Sequence, residues 1–230
     1  MTGAQGAGGQ RRIVVAITGA SGAVYGVRAV EMLRDLPGVE THLIITSGAR
    51  ETLAYETATS AAAVKKLADV AYREDDLAAR ISSGSYRTDG MIVIPCSVKT
   101  LSGIANSYDD TLVVRAADVT LKERRTLVLV VRETPLHRTH LRLMTQVTKA
   151  GGIIVPPVPS FYDLPQTVED IVDQTVSRAL GLLGLDTGGV QRWEGGQDAA
   201  RRARVSRGPG GRADKAGSAP TGTEGGPAEP

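Results

Sequence analysis

The sequence has 230 residues, a formal net charge of only +2 and an aromatic content of 3%, which argues against a stacking platform for single-stranded nucleic acid. Its one cysteine, Cys96, excludes an intramolecular disulfide framework and a Cys-rich zinc site and suggests a reducing compartment. No run of about 18 apolar residues exists, and the N-terminus lacks the apolar region and cleavage site of a signal peptide, so a soluble cytoplasmic protein with no membrane or nucleic-acid partner is expected.

Residues 1–11 are rich in Gly, Ala and Gln, and residues 194–230 in Gly, Arg, Pro, Ala, Ser and Glu. Neither end shows a hydrophobic period or more than a few small apolar residues, so both read as disordered, leaving one domain over 12–193. Much of the positive charge (Arg201, Arg202, Arg204, Arg207, Arg212, Lys215) lies in that tail and reads as solvated.

In chain order, Ile13 to Ile17 is a short apolar, β-branched run, followed by the Gly-rich turn Thr18 to Gly22 and a helix from Ala23 to Leu36 that Pro37-Gly38 stops. A helix N-terminus with glycines around it is an anion site, most often for phosphate, to which Thr18 and Ser21 add hydroxyls. Thr41 to Ile45 is a second strand, and Ala49 to Glu56 a helix. Ser60 caps a short helix to about Leu67. The polar segment from Val70 to Gly84 holds a helix opened by Asp75-Asp76 and ending at Ile81. Met91 to Ile94 is a third strand, after which Ser97 caps a helix to about Asn106 and Asp109-Asp110 open another to about Lys122. Thr126 to Val131 is a fourth strand. Thr134-Pro135 read as an N-cap and first helical residue, leading to about Lys149. Ile153 to Val155 is a fifth strand. Thr167 to Asp170 resembles a capping box, and its helix ends at Leu183 before Gly184.

Five continuous apolar strands alternating with helices require a sheet covered on both faces, hence parallel: an open doubly wound α/β sheet, a three-layer flavodoxin-like or Rossmann-like sandwich. Ligands of such sheets bind at the carboxyl ends of the strands. Those ends here are Thr18 to Gly22, Thr46-Ser47-Gly48, Pro95 to Thr100, Arg132 to Pro135, and a Pro-rich loop to Phe161-Tyr162. Hydroxyls beside helix N-termini at one rim favour a phosphorylated cofactor. The spacing is not GxGxxG, and no acidic residue follows strand two, so a mononucleotide such as FMN is preferred to NAD. Arg115, Asp118 and Lys122 lie near one face of a helix. They read as an ion-pair stripe, or Lys122 serves a second phosphate if it stands at the ligand rim. His42, His137 and His140 show no metal-binding spacing.

Taken together, TGASGAVYGVR (18–28), ETHLIITSGARETL (40–53), Glu56-Thr57, ISSGSYRTDGMIVIPCSVKTLSGIANSYDD (81–110), RAADVTLKERR (115–125), RETPLHRTHLRLMTQ (132–146), PPVPSFYDLPQTVEDIV (156–172) and Arg192-Trp193 closely resemble the flavin prenyltransferases, the UbiX-type family within the homo-oligomeric flavin-containing Cys decarboxylases. The resemblance implies an enzyme that takes reduced FMN and dimethylallyl phosphate (or the diphosphate) and joins the prenyl group to flavin N5 and C6. The product is prenylated FMN, the cofactor of a UbiD-type decarboxylase. It also implies a homododecamer with sites between subunits and no metal. By position, FMN meets Gly19, Ala20, Ser21, Thr46, Ser97, Val98, Lys99, Thr100 and Arg132. The prenyl phosphate meets Lys122, Arg132, Tyr162 and Arg178. Ser21 and Glu56 match the pair that acts near N5, Glu133 the acid that protonates the departing phosphate, and Trp193 an aromatic wall. The acid role requires a protonated Glu133, which burial favours. Val131 stands where many members have Pro. A flavin-dependent cysteine decarboxylase on the same fold and a non-catalytic FMN-binding subunit are the alternatives. PPVPSFY in place of a Met-Asn loop argues against the first, and intact Glu56, Lys122, Glu133 and Arg178 against the second.

Overall fold

The computed structural model describes residues 10–188. The first apolar run forms β1 (Arg11–Ile17) and leads into α1 (Ala23–Arg34), β2 (Val39–Ile45), α2 (Ser47–Glu56), α3 (Ala61–Lys65) and β3 (Val70–Tyr72). The chain continues through β4 (Gly90–Cys96), α4 (Val98–Ala105), α5 (Leu112–Lys122), β5 (Thr126–Val131), α6 (Arg138–Lys149), β6 (Ile153–Ile154) and α7 (Val168–Gly181). The strands form one sheet in the order β3-β2-β1-β4-β5-β6, and every pair is parallel.

Alternate residues of β1 face opposite cores, which is why its apolar run is unbroken. Ile13, Val15 and Ile17 pack with Val30 and Leu33 of α1, Leu53 of α2, Val64 of α3 and Val176 and Leu180 of α7. Val14 and Ala16 face Leu101 and Ile104 of α4, Leu112 and Ala117 of α5, and Leu143 and Val147 of α6. The sheet is therefore wound on both faces, and its order reverses between β1 and β4, the place where such sheets open a crevice at their carboxyl ends.

Four expectations are corrected. The sheet has six strands among the described residues, not five, because the short Val70–Tyr72 edge strand lies in a segment too polar to signal itself. Asp75-Asp76 start turns rather than a helix; only Arg80–Ser82 is helical there, as one 3₁₀ turn. The helix expected from Asp109-Asp110 starts at Leu112, where the Thr111 hydroxyl accepts the Val114 N–H and Asp109 instead pairs with Arg115. Thr134-Pro135 does not begin a helix: its peptide bond is cis, and α6 starts at Arg138, with the His137 ring nitrogen accepting the Thr139 N–H. The Thr167/Asp170 capping box is present as read. β1 begins at Arg11, inside the arm expected over 1–11, and residues 1–9 of that arm, Trp193 and the tail over 194–230 lie outside the described residues.

Glycine at position 26 is a packing requirement. A Cβ there would lie 2.6 Å from the Ile94 carbonyl and 2.8 Å from the Ile17 side chain, so α1 could not rest on the sheet at its present distance. Gly26→Ala is expected to destabilise the fold by about 1–3 kcal/mol, the usual cost of overpacking. Urea denaturation should show a lower midpoint at unchanged slope.

Candidate active site

Because every crossover helix returns along the sheet, α1, α2 and α4 each begin at the carboxyl rim of the strand they follow. Their N-terminal amides and positive dipole ends converge there. The three ends are not equivalent. At α1, the Gly22 and Ala23 N–H groups both donate to one Glu56 carboxylate oxygen, at 2.8 and 2.9 Å. Gly22 reaches this geometry at φ 100°, where glycine is favoured. At α2, the Thr46 hydroxyl accepts the Ala49 N–H, and the Ser47 N–H donates to the Glu74 carboxylate at 2.8 Å. At α4, the Ser97 hydroxyl accepts the Thr100 N–H at 3.3 Å and lies 3.1 Å from the Thr100 hydroxyl. Among the described residues, no carboxylate is bonded to the first turn of α4.

The Gly22 and Ala23 amides at the start of α1 are thus met by the protein's own carboxylate. Thr18 is likewise not a ligand donor, because its buried hydroxyl is turned onto Pro95 and Ser97. Gly19 also meets a packing demand: a Cβ there would stand 3.0 Å from Gly48 Cα, so the turns after β1 and β2 meet backbone to backbone.

A cavity of about 890 Å³ opens beside these turns, within the range of cofactor pockets. Gly19, Thr46, Ser97, Lys99 and Thr100 line it, as expected, together with Ser47, Gly48, Ser102, Glu51, Glu74 and Asp110. Ser21, Glu56 and Arg132 form a second group beside it. Burial pushes the Glu56 carboxyl up, but the Ala23 N–H, the Ser21 hydroxyl, the Gly22 N–H and the Arg132 charge outweigh it and hold Glu56 below its ordinary range. Tyr25, which the sequence reading passes over, belongs to this group. Its ring lies against Gly22, and its phenol is pushed up by burial against the opposing pull of Arg132. Ala20 is buried in the same turn and Val98 opens α4.

The remaining expected residues lie elsewhere. Tyr162 and Arg178 line one cavity of about 180 Å³ with Val155, Pro156, Ser160 and Gln174. Glu133 is exposed, not buried as its expected acid role requires, and accepts the Thr134 N–H. Lys122 ends α5, just before β5 begins at the amino edge of the sheet, and pairs with Glu123 at 2.6 Å. It stands at the far edge from the rim of its own chain. Arg115 pairs with Asp109 and Asp118 as the ion-pair reading has it. Among the described residues, no group of three or more His, Cys, Asp or Glu side chains is placed to hold a metal, and no helix is long and apolar enough to cross a membrane.

The flavoprotein family model matches residues 4–180. The flavin prenyltransferase UbiX of Salmonella typhimurium is 61% identical over 170 residues, covering 74% of this chain and 90% of that protein. The chain belongs to the flavin prenyltransferase family. Two solved structures of the family are also similar. AnUbiX, in complex with FMN and dimethylallyl pyrophosphate, superposes with a TM-score of 0.79 at 53% identity, over 81% of this chain and 99% of that one. A dodecameric FMN-dependent UbiX-like decarboxylase from Escherichia coli O157:H7 gives 0.78 at 52% identity, over 80% of this chain and 100% of that one.

The Glu56 cap has a measurable pH signature. With its folded pKa depressed, Glu56 stabilises the native state above the unfolded carboxylate pKa, and this contribution is lost as pH falls through the folded value. Glu56→Gln is expected to lower stability at pH 7 by about 0.5–1 kcal/mol, a cap-sized loss discounted for exposure. In thermal melts the gap to the wild type should close as pH falls below about 4.

Proposed function

We propose that this protein prenylates reduced FMN with dimethylallyl phosphate or diphosphate, acting in the cytoplasm as a homo-oligomer, a dodecamer as in its E. coli neighbour. The product serves a UbiD-type decarboxylase. The observation that carries the reading is the electrostatic inequality of the three helix ends at one rim. Two are closed by Glu56 and Glu74, and the third opens on a cavity of mononucleotide size lined by Ser97, Lys99 and Thr100. A single phosphate suits that rim, as in a mononucleotide.

FMN is a substrate here, and the residues fit it. Ser97, Thr100, Lys99 and the first amides of α4 hold its phosphate, Thr46 adds a hydroxyl, and Gly19 and Gly48 keep the turns low enough for it to lie across. In reduced form the flavin supplies the nucleophilic ring atoms. Ser21 and Glu56, joined by a hydrogen bond, accept and pass the proton displaced at N5. Arg132, Tyr162 and Arg178 bind the prenyl phosphate. Positive charge there stabilises the departing anion, and Glu133 protonates it. Lys122 completes that cluster from a neighbouring subunit, since its own chain holds it at the opposite edge. The same neighbour covers Glu133, which its own chain leaves exposed. The identity to prenyltransferases favours this reading over a cysteine decarboxylase, and the intact Ser21–Glu56 pair favours it over a non-catalytic flavin carrier.

Anaerobic incubation of the purified protein with reduced FMN and dimethylallyl phosphate should raise the flavin mass by one C5 unit; unmodified flavin with either prenyl donor would falsify the reading. Subunit sharing has its own test. Lys122→Ala and Glu56→Gln should each be nearly inactive. After dissociation and mixing at equal amounts they should recover about a quarter of the wild-type rate, because that share of sites draws both intact residues from two different chains across a heterologous contact. No recovery places Lys122 outside the reaction or in the same chain's site.

A further inference from the structure

We propose that Thr18 is a positioning residue for the flavin site, its hydroxyl fixing the N-terminus of α4 against the turn that follows β1. The inference rests on the FMN reading above. Thr18 is 1% exposed and follows the last residue of β1. Its Oγ1 donates to the Pro95 carbonyl at 2.7 Å and accepts the Ser97 N–H at 2.8 Å, and its own N–H reaches the Pro95 carbonyl at 3.3 Å. These contacts stand where the ladder between β1 and β4 has run out. The last paired residues are Ala16 and Val93, and on its other side β4 shifts register between Val93 and Cys96. Beyond Val93, the bonds of Thr18 replace the regular ladder in tying the end of β4 to β1.

The chemistry demands a hydroxyl. One group must donate to a carbonyl and accept from an amide at once, which no apolar side chain of that shape can do. Without it the Ser97 N–H is left buried and unpaired, and the turn shifts to find water. Ser97 carries the shift outward, since its own hydroxyl holds the Thr100 N–H and meets the Thr100 hydroxyl. Ser97, Lys99 and Thr100 line the cavity and Thr18 does not, so Thr18 acts only through them.

The test compares the wild type, Thr18→Val, Thr18→Ser and Leu33→Val, the last a change in the buried face of α1 away from the rim that also lowers Tm. FMN Kd is read from quenching of flavin fluorescence, and the prenylation rate is measured at saturating FMN. Thr18→Val should raise the Kd about tenfold, as for one lost buried hydrogen bond. Its saturated rate should stay within about twofold of wild type, because binding and not the reacting groups is disturbed. Thr18→Ser should restore the wild-type Kd, and Leu33→Val should leave it unchanged. Thr18→Ala removes the same hydroxyl and is expected to show the same rise, so the test survives if the Val variant does not fold. An unchanged Kd in the variants lacking the hydroxyl, an equal rise in Leu33→Val, or a loss of rate with Kd intact each overturns the positioning role. Wild-type protein that binds no FMN overturns the flavin reading and this inference with it.

Discussion

A parallel sheet imposes an electrostatic problem at its carboxyl rim. Each helix that follows a strand points its N-terminus there, and each such end carries roughly half a positive charge in unpaired amides. This protein solves the problem unequally. Glu56, at the far end of α2, returns to close the first turn of α1, and Glu74, just past β3, closes α2. Among the described residues, the first turn of α4 receives the Ser97 hydroxyl, a neutral cap, and no carboxylate. In a dinucleotide-binding sheet the pyrophosphate occupies the end of the first helix. Here a carboxylate already sits there, so a pyrophosphate at that seat would face a like charge. In the proposed site, occupancy of one helix end by the chain itself places the flavin phosphate further along the rim. It also leaves Glu56 ionised and aimed at Ser21, where a proton acceptor is useful.

The strands were legible because burial on both faces leaves no polar register to obscure them, as in Ile13–Ile17 and Leu127–Val131. What escaped was set by distance along the chain. β3 is too short to have a period, and it exists because His42, Leu43 and Ile44 offer it an edge to pair with. α6 starts on a histidine cap, a residue that seldom announces a helix. In the site, the hydroxyl of Ser97 read correctly as a cap because capping is a local interaction across three residues. The partner of the first turn was not local. Glu56 lies 34 residues from Gly22, and nothing in TGASG tells whether its amides will meet a phosphate or a carboxylate. Thr18 was legible as a hydroxyl but not as one pointing inward, and the close approach of Gly19 to Gly48 left no mark in the local sequence.

The distribution of the charged residues bears on how the chemistry is protected. One chain brings Ser21, Glu56 and Arg132 together and sets Tyr162 beside Arg178, yet leaves Glu133 exposed and Lys122 at the opposite edge. Phe161, Tyr162 and Leu164 are also large apolar side chains left partly in water, as is Leu136 three residues beyond Glu133. A surface of that kind is one that another subunit covers. In the proposed site, covering it does several things at once. It brings in a lysine for the departing phosphate, removes water from around Glu133, and walls off the prenyl fragment as its bond to phosphate breaks. An allylic cation in a wet, half-built site would be captured by water before reaching the flavin. Splitting the phosphate-binding charges between chains therefore ties the power to ionise the donor to the enclosure that makes ionisation productive. In the proposed site a lone chain holds Arg132 and Arg178 but lacks both Lys122 and the enclosure.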